Sequence, residues 1–76
     1  MAGITPIRYK KFEKFLLEVG CVHKRTKGDH AIYHRSDLRR PVVVPVDKEV
    51  APFIVRTNLR TLGLSTKQYL DIISKL

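Results

Sequence analysis

The sequence contains a single cysteine and no tryptophan, and it has no long apolar run. Cys21 alone cannot form an intramolecular disulfide or a thiolate zinc site, which excludes disulfide scaffolds and cysteine-based zinc modules. A membrane span needs about 20 consecutive apolar residues, far more than the longest runs here. Residues 1–20 also lack the apolar stretch and cleavage site of a signal peptide. We therefore expect a cytoplasmic protein with no membrane association, no metal and no cofactor.

Acidic residues are scarce relative to basic ones. The 76 residues include 15 Lys and Arg but 7 Asp and Glu, which gives a formal net charge of +8. Residues 1–40 hold ten of the basic residues and four of the acidic ones. An excess of this size favours an anionic partner such as RNA, bound by the N-terminal half. The length predicts one domain over residues 1–76.

Apolar spacing predicts three helices. The first runs from Thr5-Pro6, a suitable N-cap and first helical residue, to Gly20. Its apolar stripe consists of Phe12, Phe15, Leu16 and Val19. The second covers residues 52–62 and ends at a glycine. The third begins at a Ser-x-x-Gln capping box at residues 65–68 and continues to the C-terminus.

Three strands are predicted between the first two helices. Residues 21–27 and 30–35 flank Gly28-Asp29, a dipeptide suited to a tight hairpin turn. A two-residue loop pairs position 27 with 30, 25 with 32, and 23 with 34, which would put all six side chains on one face. Residues 41–45 form a third strand whose prolines favour a sheet edge. The result is an α+β fold of order α-β-β-β-α-α, with a three-stranded antiparallel sheet covered by helices on one face.

His30 is the strongest candidate for chemistry because it follows the turn directly. An imidazole, with an ordinary pKa of ~6.5, can accept a proton from a ribose 2′-hydroxyl while Lys27 and Arg25 hold the phosphate. A histidine that opens a strand is also commonly an ordinary surface residue, and composition leaves both interpretations open. His34 lies about 13 Å further along the strand, too far to share one phosphorus centre. His23 is expected opposite His34, and both are interpreted as solvated strand residues.

Three ordered motifs resemble the HicA family, the toxin half of toxin–antitoxin pairs. They are GDHAIYHR at residues 28–35, VVVP at 42–45 and LRTLGLS at 59–65. The resemblance implies a double-stranded-RNA-binding-like fold and metal-independent endoribonuclease cleavage of mRNA. It also implies a catalytic histidine at the matched position, His30, and neutralisation by a HicB-type antitoxin.

The chain departs from this family pattern at two places. Asp29 stands where the family often has a hydroxyl residue, and it could repel phosphate, stabilise the imidazolium or simply suit the turn. Phe53-Ile54 stands where the family has Gly-Thr. This bulkier pair could alter substrate binding, face a partner or only repack the helix.

Basic residues of the first helix, the hairpin and the following loop are predicted to contact RNA phosphates. With the turn glycine, they are Lys10, Lys11, Lys14, Lys24, Arg25, Lys27, Gly28, Arg35, Arg39 and Arg40. Tyr33 either stacks on a base or packs in the core, because it alternates with Ile32. The main alternative function is a non-catalytic RNA-binding module of the same fold. A DNA-binding function built on the last two helices is less favoured, since they carry little of the excess charge.

Overall fold

Five strands and three helices make up residues 3–76, the part of the chain that this computed structural model describes. In chain order they are β1 (Ile7–Arg8), α1 (Tyr9–Glu18), β2 (Val22–Lys27), β3 (His30–His34), β4 (Val42–Pro45), β5 (Glu49–Val50), α2 (Pro52–Leu62) and α3 (Thr66–Ser74). The main sheet is antiparallel with the order β2-β3-β4, while β1 and β5 form a separate pair. The predicted α+β fold is confirmed, with two short strands in addition.

The predicted start of the first helix is wrong. Ile7 and Arg8 are extended and pair with β5, and α1 begins only at Tyr9. The amide of Tyr9 donates to the carbonyl of Lys48 at 3.1 Å, so the helix starts where the strand pairing ends. The preceding Thr-Pro pair lies outside any helix, because the φ that proline fixes suits extended chain as well as a first helical turn.

The hairpin register is confirmed near the turn and wrong further from it. Lys27 pairs with His30 and Arg25 with Ile32, as predicted. A bulge between His23 and Arg25 then shifts the register, so that His23 lies opposite Tyr33 instead of His34. The extra residue moves the His23 side chain to the other face of the sheet.

One face of the sheet packs against the helices and forms the core. β3 and β4 contribute alternate residues to this face, and α1 and α2 cover it with their apolar stripes. The largest fully buried side chains are Tyr33, Phe12, Phe15, Leu16, Val42, Val44, Val50 and Val55. Burying one large apolar side chain contributes about 1.5–3 kcal/mol, so this interface is the main source of stability. The opposite face of the sheet is not covered by these helices, and we call it the open face.

α2 covers the outer edge of β4. Asn58 is only 4% exposed, and its side-chain amide donates to the carbonyl of Val43 at 3.2 Å. β4 is the edge strand that its prolines predict, and this bond satisfies a carbonyl on that edge. Gly63 ends α2 with a φ of +74°, as predicted.

α3 packs its one buried residue, Tyr69, edge-on against the Phe15 ring of α1, with ring centroids 4.9 Å apart. The predicted capping box is present: Ser65 Oγ accepts from the Gln68 amide at 3.0 Å, and Gln68 Oε1 accepts from the Ser65 amide at 2.8 Å. None of the helices within residues 3–76 has the length and hydropathy to cross a membrane.

Candidate functional site

The β2–β3 turn places His30 at one end of the open face. Gly28 has a φ of +62° and Asp29 does not have a positive φ, which is the sign pattern of a type II′ turn. The backbone amide of Val46 donates to the carbonyl of Asp29 at 2.6 Å, so the turn is fixed to the end of β4. His30 therefore lies in register between Lys27 on β2 and Pro45 on β4.

The imidazole of His30 contacts the neighbouring carboxylate. His30 Nδ1 and Asp29 Oδ1 are 3.0 Å apart, and the two side chains are 53% and 82% exposed. A carboxylate this close to Nδ1 favours the neutral tautomer with its proton on Nδ1, which leaves the lone pair on Nε2 to accept a proton from a ligand. Asp29 thus occupies the turn, the third of the roles considered for it, and its carboxylate contacts the imidazole.

Three predicted cations lie along β2, of which Lys27 is at the His30 end. Lys27 lies opposite His30 in the ladder, and every residue of β2 is exposed. Lys24 and Arg25 line a shallow depression of about 410 Å³ together with His34 and Pro41. The structure therefore places these cations of β2 on the same sheet face as His30, the open face.

Apolar side chains are exposed on β4, directly after it and at the start of α2. Val43, Val46 and Phe53 are 39%, 43% and 66% exposed. Ile54, the second residue of the pair that departs from the family pattern, packs against the core instead. Phe53 has therefore not simply been repacked into the helix interface.

The predicted lysines of α1 lie in the helix layer, away from the open face. Lys10, Lys11 and Lys14 belong to a helix whose other side packs against the sheet. Lys11 Nζ donates to the carbonyl of Leu76, at the end of the chain, at 3.2 Å. The structure does not bring these three residues together with His30.

Arg35 is engaged within the protein. Its Nε and Nη2 donate to the two carboxylate oxygens of Asp37 at 2.6 and 3.1 Å, and its Nη1 donates to the Val19 carbonyl at 2.6 Å. The hydrogen bond to this guanidinium lowers the pKa of Asp37 and raises the pKa of Arg35. Arg35 therefore links the end of β3 to the end of α1 by hydrogen bonds.

Arg39 and Arg40 follow the opposite end of β3 from His30. They line a pocket of about 470 Å³ with Arg60 of α2. Arg60 was not predicted as a phosphate-binding residue, although it lies in the LRTLGLS motif and on the polar side of a predicted helix. Its proximity to the loop depends on the antiparallel placement of α2 against β4.

Neither Tyr33 nor His23 belongs to the open face. Tyr33 is fully buried, and its hydroxyl bonds Glu13 Oε2 at 2.5 Å and the Tyr9 hydroxyl at 2.7 Å. Burial, followed by these hydrogen bonds, raises the pKa of Tyr33 well above its usual value. His23 lies edge-on to this ring and contacts Thr26 Oγ1 at 2.8 Å. Tyr33 is a core residue, and it is not placed to stack on a base.

A protein-family model described as "HicA toxin of bacterial toxin-antitoxin" matches residues 9–64. The match includes the whole three-stranded sheet, the His30 turn and α2, and it ends before α3. No curated protein and no solved structure was found to match the chain.

Proposed function

The chain belongs to the HicA toxin family, and we propose that it is an endoribonuclease that cleaves mRNA without a metal, using His30 as the general base. The observation that carries this proposal is the 3.0 Å contact between His30 Nδ1 and Asp29. This contact supports a proton-accepting Nε2 at the surface, beside a row of cations on β2.

The chemistry begins with transfer of the ribose 2′-hydroxyl proton to Nε2 of His30. The 2′-oxygen attacks the adjacent phosphorus, and the bond from phosphorus to the 5′-oxygen breaks. The departing 5′-oxygen takes a proton from Lys27 or from water, which leaves a 2′,3′-cyclic phosphate and a 5′-hydroxyl. Lys27 and Arg25 stabilise the negative charge that develops on the phosphate oxygens.

Asp29 acts as a positioning residue in this scheme. Its carboxylate lies 3.0 Å from Nδ1 and orients the imidazole. Asp29→Asn retains a hydrogen-bond acceptor but removes the charge. We expect this variant to cleave more slowly than the parent and faster than a variant without the imidazole.

A HicB-type antitoxin is the proposed protein partner. It would inhibit the toxin by covering His30 and the cations of β2, since that removes RNA binding and catalysis together. Val43, Val46 and Phe53 supply exposed apolar contacts of the kind that the core of a protein interface needs.

The test compares the parent, His30→Ala and His23→Ala on an RNA of mixed structure, in EDTA at neutral pH. His23→Ala is a matched control, because it removes an exposed imidazole from the same hairpin but from the other face. General-base catalysis contributes about 10²–10⁴-fold, so His30→Ala should lose that factor while the control keeps the parent rate. Equal rates for the parent and His30→Ala would contradict the proposal. Intact RNA with salt-sensitive binding would favour the non-catalytic RNA-binding module.

A further inference from the structure

We propose that the pocket formed by Arg39, Arg40 and Arg60 binds a phosphate group of the RNA, as an anchoring site separate from His30. This arginine pocket lies between the β3–β4 connection and the C-terminal half of α2, with a volume of about 470 Å³. The inference rests on the proposed function to the extent that the ligand is RNA.

The three guanidinium groups have no carboxylate partner among residues 3–76. The acidic residue of the pocket, Asp37, is held through both of its oxygens by Arg35. A guanidinium group presents paired donors that match the oxygens of a phosphate. Three such groups from two different elements therefore give the pocket a local positive charge and free donors.

The end of α2 opposes anion binding only weakly. A helix C-terminus carries about half a negative charge on its unpaired carbonyls. Here the Leu64 amide donates to the Leu59 carbonyl at 2.9 Å and the Gly63 amide to the Arg60 carbonyl at 3.2 Å. The three full positive charges outweigh what remains of the helix-end charge.

The hydroxyl groups of the pocket are already used as donors. Thr57 Oγ1 donates to the Phe53 carbonyl at 2.9 Å, and Thr61 Oγ1 donates to the Thr57 carbonyl at 3.3 Å. The guanidinium groups are thus the side-chain donors left for a ligand. This composition favours a phosphate over a neutral polar group.

The arginine pocket and His30 are too far apart to share one phosphate. β3 separates them, and its length from His30 to His34 is about 13 Å at ~3.3 Å per residue. The depression near Lys24 and Arg25 also includes Pro41, which directly follows Arg40. An RNA strand that continues from the open face past Pro41 to the end of α2 can contact both sites, which makes the arginine pocket a determinant of binding to long RNA.

The leucine side chains of the pocket offer little exposed surface to a protein partner. Leu62 is 6% exposed, and Leu38 is half-buried against the core. The centre of a protein interface usually needs apolar or aromatic anchors. RNA is therefore favoured over an acidic protein segment.

The test measures binding in the His30→Ala background, so that the RNA stays intact. Fluorescence anisotropy with labelled single-stranded RNA gives Kd over a range of salt concentrations. Adding Arg60→Ala, or Arg39→Ala with Arg40→Ala, should weaken binding. Each lost phosphate contact should reduce the slope of log K against log salt by about 0.7. If Arg60→Ala disturbs folding, the variant with Arg39→Ala and Arg40→Ala provides the test instead.

Arg56→Ala is the matched control, because Arg56 is exposed on the same helix, one turn away, and does not line the pocket. A pocket variant whose slope matches that of this control overturns the proposal. Unchanged RNA binding with loss of binding to an acidic protein also overturns it. Because binding is measured without cleavage, a reduced slope supports the arginine pocket even if the parent proves to be inactive on RNA.

Discussion

Replacing Tyr33 with phenylalanine removes one oxygen atom from the contact between β3 and α1. That oxygen donates to Glu13 Oε2 at 2.5 Å and lies 2.7 Å from the Tyr9 hydroxyl. The ring itself is fully buried and keeps its packing in the variant. The substitution therefore isolates the polar contribution of this cluster to the stability of the strand that begins with His30.

The expected loss follows from the charge on Glu13. A hydrogen bond to a charged group contributes about 1.5–3 kcal/mol to the free energy of unfolding. The Tyr9 hydroxyl remains 3.4 Å from Glu13 Oε2 and compensates in part. We expect a loss of about 2 kcal/mol. For a domain of this size, that corresponds to a decrease in Tm of about 8–16 °C.

Urea unfolding followed by circular dichroism measures this loss, and Tyr69→Phe provides the control. Tyr69 is similarly buried, at 3% exposure, but its hydroxyl makes no hydrogen bond within the described part of the chain. We expect its removal to change stability by far less than the loss of the Tyr33 hydroxyl. An equal loss in the two variants, or none in Tyr33→Phe, would refute the reasoning.

Three further predictions concern the core. Burial raises the pKa of the Cys21 thiol, so alkylation of the native protein should be much slower than alkylation in urea; equal rates by mass spectrometry would contradict this. Asn58→Ala leaves the Val43 carbonyl without its partner and should cost about 1–3 kcal/mol, measured as a lower urea midpoint at an unchanged m-value. Burial raises the pKa of Tyr69 to about 12. The unfolded chain then loses its tyrosine proton first, near pH 10, so stability should fall from about pH 10 to 12, and a constant urea midpoint there would be inconsistent with this burial.

Local signals were sufficient to predict α2 and α3. Pro52, Gly63 and the box of Ser65 and Gln68 act within one or two helical turns, and the structure confirms each of them. The first hairpin pairs next to the Gly28 turn were predictable for the same reason, because a two-residue loop fixes its nearest neighbours.

Long-range pairing was not predictable in this way. β1 and β5 have two residues each, too few to show any periodicity, and they pair across some forty residues of sequence. The bulge beside Lys24 also leaves no composition signal, because β2 is exposed along its whole length. As a result, both the predicted start of α1 and the predicted partner of His23 were wrong.

The sequence located the His30 turn, but not the grouping of the cations. Whether Lys14 or Arg60 lies near a given loop depends on which layer its helix occupies, and spacing along the chain does not carry that information. Arg35 was predicted to contact RNA, but its guanidinium is already hydrogen-bonded to Asp37 and to the Val19 carbonyl. The count of basic residues in the first half therefore overstated the number of cations near His30 and missed Arg60.

The most direct test of the central claim is the chemical identity of the new RNA ends. The parent protein is incubated with a defined RNA in EDTA, and the fragments are examined by mass spectrometry. Attack by the 2′-oxygen with His30 as the base predicts fragments that end in a 2′,3′-cyclic phosphate and begin with a 5′-hydroxyl. Fragments with a 5′-phosphate and a 3′-hydroxyl would show that water was the nucleophile, and they would contradict this account.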